Sequence, residues 1–288
     1  MELAITYTNN RGESMVFGGS QEELNIFEND LRDAAWEYTA SGNAIAYFSR
    51  PQAEIDLKVG IAADTEEEGL ELRDRLADIT EADVIDNEPG KISVNGWYLP
   101  CYVIEREAGE WWRSGRFFEC TLKLLAMRRE WSLRHTLHID PNTSDGSAGD
   151  LDFEFDYPHD YHTGNLGGRT VENPGVDDSD LIIRVYGACK NPKVTVAGNA
   201  YGATVDVEEG GYLEVDTEKK TCELVGTYGD RTNAFAQRLA GGEGSGSYIF
   251  EKMPRGVQAV SADASLSYDV VVVEHRSEPR WVREGSAE

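Results

Sequence analysis

Several residues in this chain have the types and spacing that chemistry requires. His159 and His162, spaced HxxH between Asp156 and Asp160, could hold a divalent ion, but two loop histidines without a third ligand read as polar surface. Asp140-Pro141-Asn142-Thr143-Ser144-Asp145-Gly146 resembles the start of a calcium loop. Its glycine falls one place late, and Leu151 stands where a bidentate glutamate is needed. Gly241-Gly242-Glu243-Gly244-Ser245-Gly246 is rich in glycine. It lacks the following helix N-terminus and the Lys-Ser/Thr pair of a phosphate cradle, so it reads as a loop before a strand at Tyr248-Ile249-Phe250. No GxSxG elbow is present, and no Ser or Cys lies in a histidine-linked motif. Acids are so abundant that a pair suited to glycoside hydrolysis carries no signal. The sequence therefore assigns no catalytic residue, no metal ligand and no cofactor site.

Cys101, Cys120, Cys189 and Cys222 show no CxxC or Cys/His metal spacing. Cys101 and Cys120 sit on strands expected to pair, yet a protein made in a reducing compartment is expected to keep them as buried thiols. The remaining lead is aromatic. Trp97, Trp111, Trp112, Trp131, Tyr201, Tyr212 and Trp281 exceed what one small core needs, so some are expected at contacts between subunits or domains. The rival reading makes them a sugar platform.

With 288 residues the chain is long for one core and comfortable for two domains. A hydrophobic fraction of 40% and an aromatic fraction of 10% place it among ordinary globular proteins. No window approaches ~18 uninterrupted apolar residues, and the start MELAITYTNN lacks the pattern of a secretory signal. The expectation is a protein made in a cytoplasm. The formal charge of −26 repels DNA and anionic membranes. The short basic cluster Lys123, Arg128, Arg129 and Arg134 reads as a domain-edge face, not a phosphate track. A conduit for DNA, which must not grip what passes, remains compatible with the acidity.

The elements that position these residues are mostly strands. From Asn173 to Asn233, alternating runs (Leu181/Ile183/Val185, Val194/Val196, Val205/Val207, Leu213/Val215, Cys222/Leu224) are divided by Asn191-Pro192, Gly198-Asn199, Gly210-Gly211 and Asp216-Thr217. That spacing predicts an all-β sandwich or barrel. Upstream, strands are expected at 2–9 and 14–17 around the turn Asn9–Gly12, at Ala44–Phe48 and at Ala53–Ile61. Residues 20–40 fit either helix, through Leu24, Phe27 and Leu31, or strand and loop. One helix is predicted from about Thr65 to Glu81. Asp64 or Thr65 would cap it, Glu67 or Glu68 would complete a capping box, Leu72, Leu76 and Ile79 would be buried, and Glu71–Arg75 would pair on its wet side. A short strand near Val84, a turn at Glu88–Gly90, and strands at Ile92–Val94, Trp97–Arg106, Arg116–Met127 and Leu266–Val273 complete the reading.

The ordered motifs Asn173-Pro174-Gly175, Asn191-Pro192, Tyr201-Gly202, Gly210-Gly211-Tyr212-Leu213-Glu214-Val215-Asp216 and Asn233-Ala234-Phe235 resemble the C-terminal module of siphophage distal tail proteins, the Dit family. Phe250, Met253-Pro254-Arg255-Gly256 and the closing Arg276-Ser277-Glu278-Pro279-Arg280-Trp281 extend the resemblance. More loosely, so does an N-terminal layout of strand, helix and hairpin ending in Met127-Arg128-Arg129-Glu130-Trp131. The resemblance implies a mainly β fold with one helix: an N-terminal β-sandwich or split-barrel-like domain over 1–130, a connector over 131–172, and a jelly-roll or galectin-like sandwich over 173–288. It also implies a non-enzymatic hub at the distal end of a phage tail. Such a hub is a hexameric ring that meets tail tube protein, tail-associated protein and receptor-binding proteins, without nucleic-acid binding or membrane insertion. A carbohydrate-binding module for host glycans and a cell-wall hydrolase are the competing functions.

Overall fold

A computed structural model describes residues 4–18, 24–29, 31–111, 116–141 and 169–280. The described chain is mainly antiparallel β-sheet with a single α-helix, as the sequence pattern requires. It divides into two compact units, Met1–Leu133 with His275–Glu288, and Arg134–Glu274.

In the first unit a 15-residue strand, Trp97–Trp111, belongs to two sheets. Its first part pairs with Gly90–Val94, which continues through Ala4–Thr8 to Ser14–Gly18. Its second part pairs with Phe117–Ala126, which continues through Ala53–Ala62 to Leu24–Asn29. Residues 24–29 are thus a strand, and the helical alternative for that stretch is excluded. Register shifts at Val103/Glu105 and Ala108/Trp111 mark irregular points where the long strand can bend. Alternation sends Ile55, Leu57, Val59 and Ile61 inward against Cys120, Leu122 and Leu124, all buried.

The helix runs Glu66–Asp86, one turn beyond its expected end. Thr65 is its N-cap, with its side-chain oxygen accepting from the Glu68 amide at 3.2 Å. Glu66, Glu67 and Glu68 fill the first turn, where acids favour the dipole. Leu76 and Ile79 are buried and Leu72 packs on the core. Arg75 reaches the Ser14 carbonyl at 3.2 Å. The strand expected near Val84 is instead the last helical turn. Val84 and Ile85 lie on its exposed side, so their β-branched character does not decide the conformation. Termination falls to Asn87 in the left-handed region (φ 54°).

The Asn9–Gly12 turn docks on this helix end. Asn9 Oδ1 accepts from the amides of Arg11 (3.1 Å) and Glu13 (2.8 Å). The Tyr7 hydroxyl donates to Asp83, which also accepts from the Asn10 amide at 2.6 Å. Arg11 pairs with Asp86 at 2.8 Å. The hydrogen bonds from Arg11 and Asn10 hold the Asp86 carboxyl down at about 2. A Cβ at Gly90 would meet Asp83 Oδ2 at 2.2 Å and the Thr8 carbonyl at 2.7 Å, so this position requires glycine.

The second unit is a sandwich. One sheet runs Arg231–Asn233, Thr221–Val225, Tyr212–Asp216, Asp180–Tyr186, Tyr268–Arg276. The other runs Arg169–Asn173, Gly256–Ala262, Lys193–Val196, Asn199–Gly202. Their inner faces meet through Leu181, Ile183, Val185, Leu213, Val215, Val270 and Val272 from the first, and Val194, Val196, Tyr201 and Val260 from the second. Ile182, Val271 and Val273 form a separate buried cluster on the opposite face. That double burial explains the unbroken valine run 270–273.

One expectation differs here. Ile249 and Phe250 occupy a turn, closed by the Glu251 amide on the Tyr248 carbonyl at 3.0 Å, and not a strand. Their side chains are buried, Ile249 at 1% and Phe250 at 5% exposure, so the apolar triplet plugs the sandwich core without pairing. The stretch 131–172 opens with a strand, Trp131–Ile139. Of that expected connector, 142–168 lies outside the described residues.

Candidate functional site

The reactive residue types are spent on structure. All four cysteines are free thiols. Although their strands pair, Cys101 lies opposite Gly90 and Cys120 opposite Ala108, and burial pushes both thiols up, to about 12 and about 11. His159, His162 and most of the Asp140–Gly146 motif lie outside the described residues. Among the described residues no group of three or more His, Cys, Asp or Glu could hold a metal. In the Gly241–Gly246 loop, the Gly244 amide already binds a carboxylate of the chain itself, Glu251, at 2.9 Å. The basic cluster is likewise engaged: Lys123 with Glu105 at 3.2 Å, Arg128 with Glu130 at 2.9 Å, and Arg129 nearly buried.

One His–carboxylate arrangement resembles acid–base machinery. His138 Nδ1 meets Asp269, and the other oxygen of Asp269 accepts from the Tyr186 hydroxyl at 2.6 Å. His138 Nε2, however, lies 3.2 Å from Asp140. Both ring nitrogens are therefore held by carboxylates, which makes the imidazole a cross-link and raises its pKa, chiefly through the bond to Asp269. Nearby, Glu214 joins Arg184 (2.7 Å) and Arg231 (2.9 Å). Burial opposes its ionisation, but the two guanidinium groups outweigh that and lower its pKa.

Of the aromatic contact candidates whose side chains are described, three of four are interior. Trp97, Trp131 and Tyr201 are at most 2% exposed, and the Tyr201 hydroxyl donates to the Glu251 carbonyl at 2.9 Å. Each of these rings belongs to a buried apolar cluster, where a large aromatic side chain contributes the most area. Tyr212 is half-buried, its ring 5.8 Å from that of Tyr186. The side chains of Trp111, Trp112 and Trp281 lie outside the described residues. The closing Arg276–Arg280 motif has a visible structural role. The Arg276 guanidinium lies 6.0 Å from the Trp97 ring centre, and the Arg280 carbonyl accepts from Asn95 at 3.3 Å.

Exposed aromatics cluster instead on an arm whose second strand the sequence predicts at Ala44–Phe48 but whose pairing with 37–41 and full exposure it does not. Among the described residues, strands Glu37–Ser41 and Ala44–Ser49 pair only with each other, and every one of their residues is exposed. Tyr38 (66%), Ile45 (53%), Tyr47 (59%) and Phe48 (57%) project from it. At its base Arg50 lies 4.7 Å from the Trp36 ring centre and pairs with Glu130. In a chain whose residues are 28% charged, positions 38–49 carry no charge at all. An isolated two-stranded hairpin is marginal in water, and clustered apolar exposure marks an interaction surface. The available signal was the uncharged, aromatic-rich sequence on both sides of Ser41-Gly42-Asn43.

No family model and no curated protein matches this chain. Solved structures do. One similar structure is that of the SPP1 Dit protein, described as a paradigm of the hub adsorption apparatus in phages infecting Gram-positive hosts. It aligns at 12% identity and a TM-score of 0.57, covering 95% of this chain and 99% of that one. Chains of the phage P2 baseplate in its activated conformation, with calcium and with strontium, align at 12% identity and a TM-score of 0.61, covering 97% of this chain and 100% of theirs. Across nearly its whole length, then, this chain shares the fold of the SPP1 Dit protein and of these phage P2 baseplate chains.

Proposed function

We propose that this chain is a structural component of a phage tail tip, a distal tail hub without enzymatic activity, located in the virion after synthesis in the host cytoplasm. The observation that carries the reading is the shared fold, which spans both units at nearly full coverage of both chains. In this reading the N-terminal domain, 1–130, closes a hexameric ring that stacks on tail tube protein and meets the tail-associated protein. The C-terminal sandwich, 173–288, reaches outward toward receptor-binding proteins, and 131–172 connects the two. The exposed arm supports self-association. Copies that each carry a charge of −26 repel one another over most of their surface, and an uncharged aromatic hairpin is where like-charged copies can meet with least repulsion. The acidity suits a conduit that does not hold DNA.

The test is to replace Tyr38, Tyr47 and Phe48 together by Ser and compare assembly with the parent by native mass spectrometry. The side chains are exposed, so the circular dichroism spectrum and melting temperature of the monomer should change little. The parent should populate a discrete closed oligomer that the triple variant loses. Equal assembly in both would remove the arm from the interface.

A further inference from the structure

The second unit holds a polar cleft of about 580 Å³, within the range of ligand-binding pockets. It is lined by the strand Cys189–Lys190 with Asn191, by Lys193 and Thr195, and by the end of Gly256–Ala262 with the following loop through Leu266. The sheet alternation explains its chemistry. Val194 and Val196 turn into the sandwich core at 0% exposure, which sends Lys193 and Thr195 to the opposite face. Thr195 faces Ser261 across the ladder. Both side chains are short, so a rigid strand pair carries small hydroxyls with open space above them. Asn191 adds an exposed amide, and Lys190 and Lys193 supply two ammonium groups.

The charge is unusual for this molecule. The chain carries 27 basic against 53 acidic residues, yet among the described residues lining this cleft two are lysines and one, Asp263, is a carboxylate. Asp263 is partly occupied by the Ser265 amide (2.9 Å) and hydroxyl (2.6 Å), and these bonds lower its pKa. Its remaining lone pairs can accept from a ligand hydroxyl. Lys190 lies 3.5 Å from Asp206, but both side chains are mostly exposed, and such a pair is easily exchanged for another anion. Among the described residues no aromatic ring lines the cleft. A neutral sugar would thus lack a stacking surface here, and affinity has to come from charge-assisted hydrogen bonds.

We infer that this cleft binds an acidic saccharide, with ring hydroxyls on Thr195, Ser261, Asn191 and Asp263 and a carboxylate or phosphate group on Lys193 and Lys190. The site differs from the one the sequence suggested, since Tyr201 is core and neither it nor Tyr212 lines the cleft. The inference stands independently of ring formation.

Titration calorimetry on the full chain at low ionic strength tests it with four probes: oligogalacturonate, glucose 6-phosphate, a neutral maltooligosaccharide and inorganic phosphate. Either or both of the first two should bind at least about tenfold more tightly than the last two, and which of them binds distinguishes a carboxylate from a phosphate ligand. Lys193→Glu and Ser261→Trp should each weaken that binding by about tenfold or more, while Lys219→Glu, on an exposed turn away from the cleft, should change it by less than about twofold. Should Ser261→Trp fail to fold, Lys193→Glu against Lys219→Glu decides. Absence of binding by both acidic sugars, equal binding of the neutral sugar or inorganic phosphate, or equal loss in Lys219→Glu would each overturn the assignment.

Discussion

At the residue scale, polar groups in this protein fasten strands to one another. His138 illustrates it: Asp269 and Asp140 flank the ring, and Tyr186 donates to the far oxygen of Asp269. Its folded pKa is raised, so the stabilisation it gives is fully present below the unfolded value of about 6.5 and is lost as pH rises through the folded value. Nuclear magnetic resonance titration of the His138 ring should place its midpoint above that of an exposed histidine, and Asp269→Asn should bring it down. A His138 midpoint at or below about 6.5 in the parent would mean that the Asp269 contact does not form in solution.

At the element scale, the helix Glu66–Asp86 is the clearest case of sequence dictating structure. Its cap, its acidic first turn and its Leu72/Leu76/Ile79 stripe can all be read before any coordinates are known. Leu76 is 3% exposed, and Leu76→Ala is expected to lower unfolding free energy by about 2–5 kcal/mol in chemical denaturation. A change within about 0.5 kcal/mol would show that the site relaxes without leaving a cavity. The alternating runs of the sandwich were legible for the same reason, because one buried face imposes period two. Three features were not. Val84–Ile85 reads as strand because local propensity does not report that a helix is still being extended through Asp83, which is held by Tyr7 from 76 positions away. Ile249–Phe250 reads as strand because a turn that plugs a core has the same composition as a short buried strand. The arm has aromatics and alternation but no burial of its own, and a sequence cannot show whether an apolar side chain finds its partner within the chain or outside it. The same limit made Trp97, Trp131 and Tyr201 look like contact residues, although each is interior.

At the scale of the whole molecule, charge and exposed apolar surface act in opposite directions. A net charge of −26 keeps copies apart, with a reach of about 10 Å at 0.1 M salt, while the uncharged arm offers one place to meet. Association should therefore strengthen with ionic strength, the reverse of an assembly held by surface ion pairs. Residues His275–Glu288 group with the N-terminal unit, so the intact chain, not a truncation ending near residue 130, is the sample that presents this unit with its own C-terminal segment. The proposed ring should form in solution. Its most direct test is the mass of the intact protein by multi-angle light scattering, measured across protein concentration at low and at moderate salt. The mass should shift from the 31.9 kDa chain to a discrete species six times heavier, favoured by concentration and by salt. A mass that stays at one chain throughout, or that climbs without a plateau, would contradict it.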